Sequence, residues 1–439
     1  MAGASTSVFP YWELSFDADG DPDGRRRDRL LAGAAGRGVR DLLVFAHGWN
    51  NDRALATRLC GRFFAPVPGL VPNARVGYVC LLWPSMRFAD EPVPDLPLST
   101  TGGPVRPPAL DKDTRHALQE VFPGRDVMVE QVARMLEARS PEEGELEEFR
   151  WVVRLLVELV PPGPQALFAA DTVGPGGSAG EPRMFTAPAA EVCAEFARAV
   201  AAHGPPPGEL RGLSLPDPWE GARELLRQAT YYAMKRRAGT VGERGLGPLL
   251  GRLAQAAPGV RVHLVGHSFG ARLVSFALRG LPEGVRTVKS VTLLQGAFSH
   301  YAFADRLPHD PRAEGVLRGR QHRVDGPLVC SHSRYDASLG TFYPLASRLA
   351  GDDRAAAPAG AGRGSGDRWG ALGYDGVRAV PGTRACTLTE AVRGGLPHSG
   401  CVNVDAAAVV RRGGPPGGAH SDVLHAELAR LVLAAGRVR

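Results

Sequence analysis

Two short stretches hold a serine at the spacing used for nucleophilic catalysis. In VRVHLVGHSFGARLVSFALRG, from Val260 to Gly280, Ser268 stands between Gly266 and Gly270. Glycine is abundant in this chain, 55 of 439 residues, and the same Gly-x-Ser-x-Gly spacing recurs around Ser178 in GGSAG. Context separates the two. Ser268 follows a run of strand-forming residues and a helical pattern begins directly after it, which is the strand–turn–helix setting of a nucleophile elbow. The turn is sharp, so side chains two residues either side of the serine would meet neighbouring backbone, and Gly266 and Gly270 remove them. The helix start beyond it offers unpaired N–H groups and a positive dipole end. Ser178 lies in VGPGGSAGEPR with no strand before it, and is set aside.

A serine hydroxyl is a weak nucleophile until a base takes its proton, and a carboxylate must orient that base. Asp336 follows the apolar run GPLVCSHSR, and His420 follows RRGGPPGGA just before the last helical pattern. Their order after Ser268 is Ser–Asp–His, the order of the nucleophile-elbow fold. His398 in GLPHSGC is the rival base; Asp305, Asp310 and Asp405 are rival acids. His263 falls inside a strand, His425 inside the last helix, and His267, beside the serine, is expected to point away from it. Acyl transfer also needs donors for the developing oxyanion. FAHGWNND (45–52) follows one strand and opens a helix, so the amides of Trp49 and Phe269 are the expected donors, with His47 and Gly48 shaping the loop.

The elements that must position these residues alternate between strand and helix. Apolar runs at 41–48, 76–84, 260–267, 287–297 and 326–334 are interleaved with helical patterns, which predicts a mostly parallel sheet flanked by helices. YWELSFDADG is a possible outer strand, and Ser421 to Ala435 reads as the closing helix. Between Ser85 and Thr240 no strand run occurs. Four helical patterns (125–138, 147–160, 191–202 and 219–237) lie there among Pro/Gly-rich stretches, and we expect a helical cap or lid over 85–240 inserted into a core formed by 1–84 and 241–439. The Gly-rich segment 351–373 reads as a loop.

Composition narrows the setting. The net charge of +6 comes almost wholly from arginine, and clusters such as Arg25–Arg26–Arg27 carry no nucleic-acid motif, so no nucleic-acid partner is expected. No apolar run approaches the length of a membrane span and the N-terminus lacks a signal-peptide pattern, so a cytoplasmic location without a transmembrane segment is expected. The six cysteines show no metal spacing; Cys80 and Cys330 read as small buried hydrophobes in a reducing compartment. Neither a metal nor another cofactor is implied.

HGWNN, GHSFG, SRYD and the late AHSD together resemble the α/β-hydrolase superfamily. The pairing of HGWNND with LLWPS (81–85) is similar to an esterase/lipase-like branch in which an HG[WY]NN loop precedes a WPS segment. The resemblance spans residues 8–85 and 240–439 and leaves the insertion out. It implies Ser268 as nucleophile, Asp336 as acid, His420 as base and the Trp49 and Phe269 amides as oxyanion donors. Lipases of the superfamily often carry HGGG-type loops where this chain has HGWN. The expected activity is cofactor-free hydrolysis of a small-molecule ester or related acyl bond. The alternatives are a peptidase, for which Glu143, Glu145 or Glu147 could anchor an amine, and a silent binding protein of the same fold.

Overall fold

The structure is a computed structural model that describes residues 8–88, 110–142, 144–158, 164–175, 181–203, 217–350, 368–414 and 417–439. In chain order its strands are β1 (Tyr11–Ser15), β2 (Asp41–Ala46), β3 (Val76–Leu82), β4 (Thr172–Val173), β5 (Arg261–His267), β6 (Val288–Leu294), β7 (Glu314–Gly315), β8 (Pro327–His332), β9 (Arg384–Thr387) and β10 (Gly400–Asp405). Eight of them form one sheet in the order β1-β3-β2-β5-β6-β8-β10-β9, and every neighbouring pair is parallel. β2 and β3 are buried at every residue. That is why DLLVFA and VGYVCLL read as unbroken apolar runs: strands covered on both faces have no polar alternation.

Two apolar layers cover the sheet. One face packs Leu42, Val44, Leu264 and Leu293 against the helix Phe269–Gly280 and the helices around it. The other packs Leu43, Phe45, Val265 and Leu294 against the helices Arg53–Phe64 and Ala426–Gly436. The helices that follow β2 and β5 therefore leave the sheet on opposite faces. Adjacent parallel strands whose connections diverge open a crevice at their carboxyl ends, where ligands of such sheets bind. That crevice lies between the two loops singled out by their residue chemistry.

Several expectations need correction. Cys60 and Cys80 are joined by a disulfide with Cα atoms 5.7 Å apart, because the helix after β2 lies directly on β3. Cys80 is thus not a free buried thiol, and a bond that persists in oxidising surroundings does not fit the reducing compartment expected for it; Cys330 is free and buried. The interval after Ser85 does contain strand, since β4 pairs antiparallel with β7. The closing helix starts at Ala426, five residues later than the pattern suggested. β9 and β10 and the helix Gly24–Gly36 are additional; the helix buries only Leu30 and Ala34 among its arginines. Among the described residues no helix is long and apolar enough to cross a membrane.

The helices expected between 85 and 240 are Asp126–Ala138, Glu145–Leu156, Ala189–His203 and Pro218–Thr240, with Lys112–Val121 in addition. The last of the four does not stop at the expected core boundary. It continues through a π-turn, Val241–Leu246, into Gly247–Ala256. A buried ion cluster fastens this region to the sheet. Asp171 lies 2.9 Å from Lys235 and pairs with Arg272 on the helix after β5. It also accepts from the Ser299 amide at 3.0 Å and the Tyr343 hydroxyl at 2.7 Å. Arg272 in turn donates to the carbonyls of Phe168, Ala170 and Lys235. Burial alone would raise the Asp171 carboxyl, but Lys235 and Arg272 outweigh it and hold it below the usual carboxylate range. Removing one member leaves an uncompensated buried charge. Asp171→Ala is expected to lower stability by about 3–5 kcal/mol in chemical denaturation, and a loss below about 1 kcal/mol would contradict this role.

Candidate active site

Ser268 follows β5 and caps the next helix in a conformation that L-residues rarely adopt, φ 54° and ψ −119°. Its amide donates to the Leu294 carbonyl at 3.1 Å, and its own carbonyl accepts from Ala271 at 3.1 Å and Ala297 at 3.3 Å. The flanking glycines are obligatory. A Cβ on Gly266 would lie 2.3 Å from the Gly270 carbonyl oxygen, and one on Gly270 would lie 2.0 Å from that of Ala46. The turn thus presses the serine helix against the end of β2.

The structure brings Ser268, Asp336 and His420 together. The Ser268 hydroxyl donates to His420 Nε2 across 2.9 Å, and His420 Nδ1–H donates to Asp336 Oδ2 across 2.8 Å. Carboxylate oxygens accept, and this fixes the tautomer that leaves Nε2 free to receive a proton. Asp336 is fully buried, and its other oxygen accepts from the Leu339 amide at 3.0 Å. The His420 loop reaches the Asp336 loop through two backbone bonds, Ala419 N–H to Tyr335 O at 2.9 Å and Ser338 N–H to Gly417 O at 3.2 Å. Ser268 is only 6% exposed, while the His420 side chain is 17% exposed.

The HGWNND loop is held from its carbonyl side. His47 Nδ1–H donates to the Gly48 carbonyl at 2.9 Å, and Asn51 donates to the carbonyls of Gly48 and Trp49 at 3.1 Å each. In a trans peptide the N–H points opposite to the C=O. Pinning the Gly48 carbonyl therefore fixes the direction of the Trp49 amide. Gly48 lies against Ser268, since a Cβ there would be 2.7 Å from Ser268 Cβ. Phe269, the first residue of the helix after β5, has an amide with no intrahelical acceptor. Trp83 completes the loop by donating from its indole to the His47 carbonyl at 2.9 Å and stacking on the His47 ring. Asn50, at φ 63°, accepts from the Phe88 amide at 2.8 Å and so ties Phe88 to this loop. The Trp49 ring is boxed by Phe88, Tyr231 and Phe269.

Asn50, Asn51 and Trp83 were not singled out individually from sequence, although HGWNN and WPS contain them. Asparagine tolerates the left-handed region and bonds nearby backbone, which was the available signal. His267 has a partner that sequence did not reveal: its Nε2 lies 2.9 Å from the His420 carbonyl oxygen. The rival residues are elsewhere: His398 is exposed, Asp305 and Asp310 pair with Arg318 and Arg312, and Asp405 caps the Ala407 amide. Glu147 is bound to Arg150 and the Ala189 amide, while Glu143 and Ser178 lie outside the described residues.

A second Asp–His–Ser chain shows that the contact pattern alone is not a site. His263 lies 2.9 Å from both Asp41 and Ser290. It sits deep in the sheet, fully buried, with Gly436 packed against its ring, and Asp41 is also paired with Arg261. We read it as a strut across β2, β5 and β6. Among the described residues no group of three His, Cys, Asp or Glu is placed to hold a metal ion. No family model, curated protein or solved structure matches the chain.

Burial pushes the His47 imidazole down to about 4, against partial support from the Gly48 carbonyl. It pushes His267 down to about 3, with His420 adding to the shift. Both rings are therefore neutral at pH 7. On unfolding each regains an ordinary pKa, so the unfolded chain binds more protons below about pH 6.5 and stability falls as pH drops from there toward 4. In histidine NMR the His47 and His267 rings are expected not to titrate between pH 8 and 5, whereas titration of either near 6.5 would contradict their buried placement.

Proposed function

We propose that the chain is a serine hydrolase of the α/β-hydrolase fold that cleaves ester or related acyl bonds through an acyl-enzyme. The observation that carries this reading is the continuous relay from Ser268 through His420 to Asp336, mounted on a strained turn. The His263 chain has the contacts without the strained serine or a partly exposed histidine, so it is the combination that argues for chemistry.

In the proposed reaction His420 Nε2 takes the Ser268 proton as Oγ attacks the substrate carbonyl carbon. The carbonyl π pair moves onto oxygen, and the Trp49 and Phe269 amides receive that charge. As the tetrahedral species collapses, His420 returns its proton to the departing alkoxide, leaving the acyl group on Ser268 Oγ. Water then attacks the acyl carbon with His420 again as base, releasing the carboxylic acid and restoring the serine hydroxyl. Asp336 stays ionised throughout and holds Nδ1–H. Esters are favoured over amides because an alkoxide leaves with less protonation than an amine. The residues involved call for no cofactor.

A p-nitrophenyl ester series from acetate to long acyl chains tests this directly. Ser268→Ala is expected to lower kcat by at least about 10⁴-fold, and Asp336→Asn by about 10³- to 10⁴-fold. Ser178→Ala is expected to match the wild type. Full activity in Ser268→Ala would overturn the proposal.

A further inference from the structure

His267 is buried, and its ring lies between the two loops that flank Ser268. Its Nε2 meets the His420 carbonyl oxygen at 2.9 Å, and the two imidazoles are 5.1 Å apart between centroids. A carbonyl oxygen only accepts, so Nε2 carries the proton and Nδ1 is bare. That bare nitrogen is buried and makes no hydrogen bond. It faces the HGWNND loop, since a Cβ on Gly48 would approach it to 3.2 Å. One ring thus donates to the His420 backbone on one side and packs against the oxyanion-side backbone on the other.

We propose that His267 is a positioning residue: its Nε2–H fixes the main chain of His420 and so sets the imidazole's reach between Ser268 and Asp336. This rests on the hydrolase reading above and deepens it. His420 bonds Ser268 through one ring nitrogen and Asp336 through the other, so the place of its main chain sets both distances. The Ala419 amide holds the chain to the Tyr335 carbonyl on the Asp336 side, and His267 holds it on the Ser268 side. Neutrality matters as well as position. His420 becomes cationic each time it holds the serine proton, and a second cation 5.1 Å away would oppose that. Burial keeps His267 uncharged, so it supplies a donor without a charge.

The test compares His267→Leu, which removes the donor, with His267→Gln, which presents an amide N–H at similar reach. Turnover of p-nitrophenyl acetate is read as kcat and KM, with thermal unfolding alongside and ¹⁵N-histidine NMR on the wild type. His267→Leu is expected to lower kcat about 10- to 100-fold with KM changed less than about 2-fold, and His267→Gln to recover kcat to within about 5-fold of wild type. The His420 Nδ1 proton resonance is expected to move in the leucine variant and to return in the glutamine variant. In the wild type His267 is expected as the neutral Nε2–H tautomer at pH 7. Wild-type kcat in a folded His267→Leu protein, or an Nδ1–H tautomer, would overturn the proposal. If the leucine variant does not fold, the tautomer and the glutamine variant decide: Nε2–H with recovered turnover supports it, and a glutamine variant more than about 10-fold impaired contradicts it. Failure of the hydrolase reading looks different: wild type and Ser268→Ala would then share the same negligible ester turnover whatever stands at 267.

Discussion

The site depends on one strained residue. Standing a serine hydroxyl above the end of a parallel sheet requires Ser268 at φ 54°, a conformation that costs on the order of 1–3 kcal/mol and persists only when its surroundings over-determine it. Here they do. Three backbone hydrogen bonds hold the residue, and two glycines let the turn close to backbone contact. The same closeness brings the Ala46 carbonyl against Gly270, which places the loop after β2 beside Ser268. The position of the proposed oxyanion donors therefore follows from the strain rather than being a separate arrangement.

Burial divides the nearby histidines into distinct parts. His47 and His267 are sealed and neutral, and each spends a single N–H on a backbone carbonyl. His420 is partly open to solvent and spends its Nδ1–H on a carboxylate, so its Nε2 is the nitrogen presented to Ser268. The same residue type thus serves twice as a fixed donor and once, in the proposed reaction, as a proton carrier, according to what surrounds it. Behind the serine helix, Arg272 and Asp171 bind that helix to the region before Thr240. With the helix continuing past residue 240 through the π-turn, this region packs behind the helix that Ser268 opens.

The sequence was most informative where one geometry dictates one residue. Gly266 and Gly270 could be read because the turn admits no side chain at either, and the strands β2 and β3 because double burial demands nearly unbroken apolar runs. What escaped reading depends on contacts between distant segments. Nothing in the local pattern says that Cys60 meets Cys80, that Asp171 meets Arg272, or that His267 turns toward residue 420. β9 is exposed and short, so hydrophobic pattern carried no signal for it. The arginine-rich helix after β1 was hidden by composition, and its Asp23 cap was the only local sign.

The central claim is that Ser268 is chemically activated by its surroundings. Treating the native protein with a fluorophosphonate and locating the adduct by peptide mass spectrometry tests it without choosing a substrate. The account predicts one phosphonyl group per chain, on Ser268, formed only while the protein is folded. An adduct on a different serine such as Ser178, or equal labelling of native and unfolded chains, would contradict it.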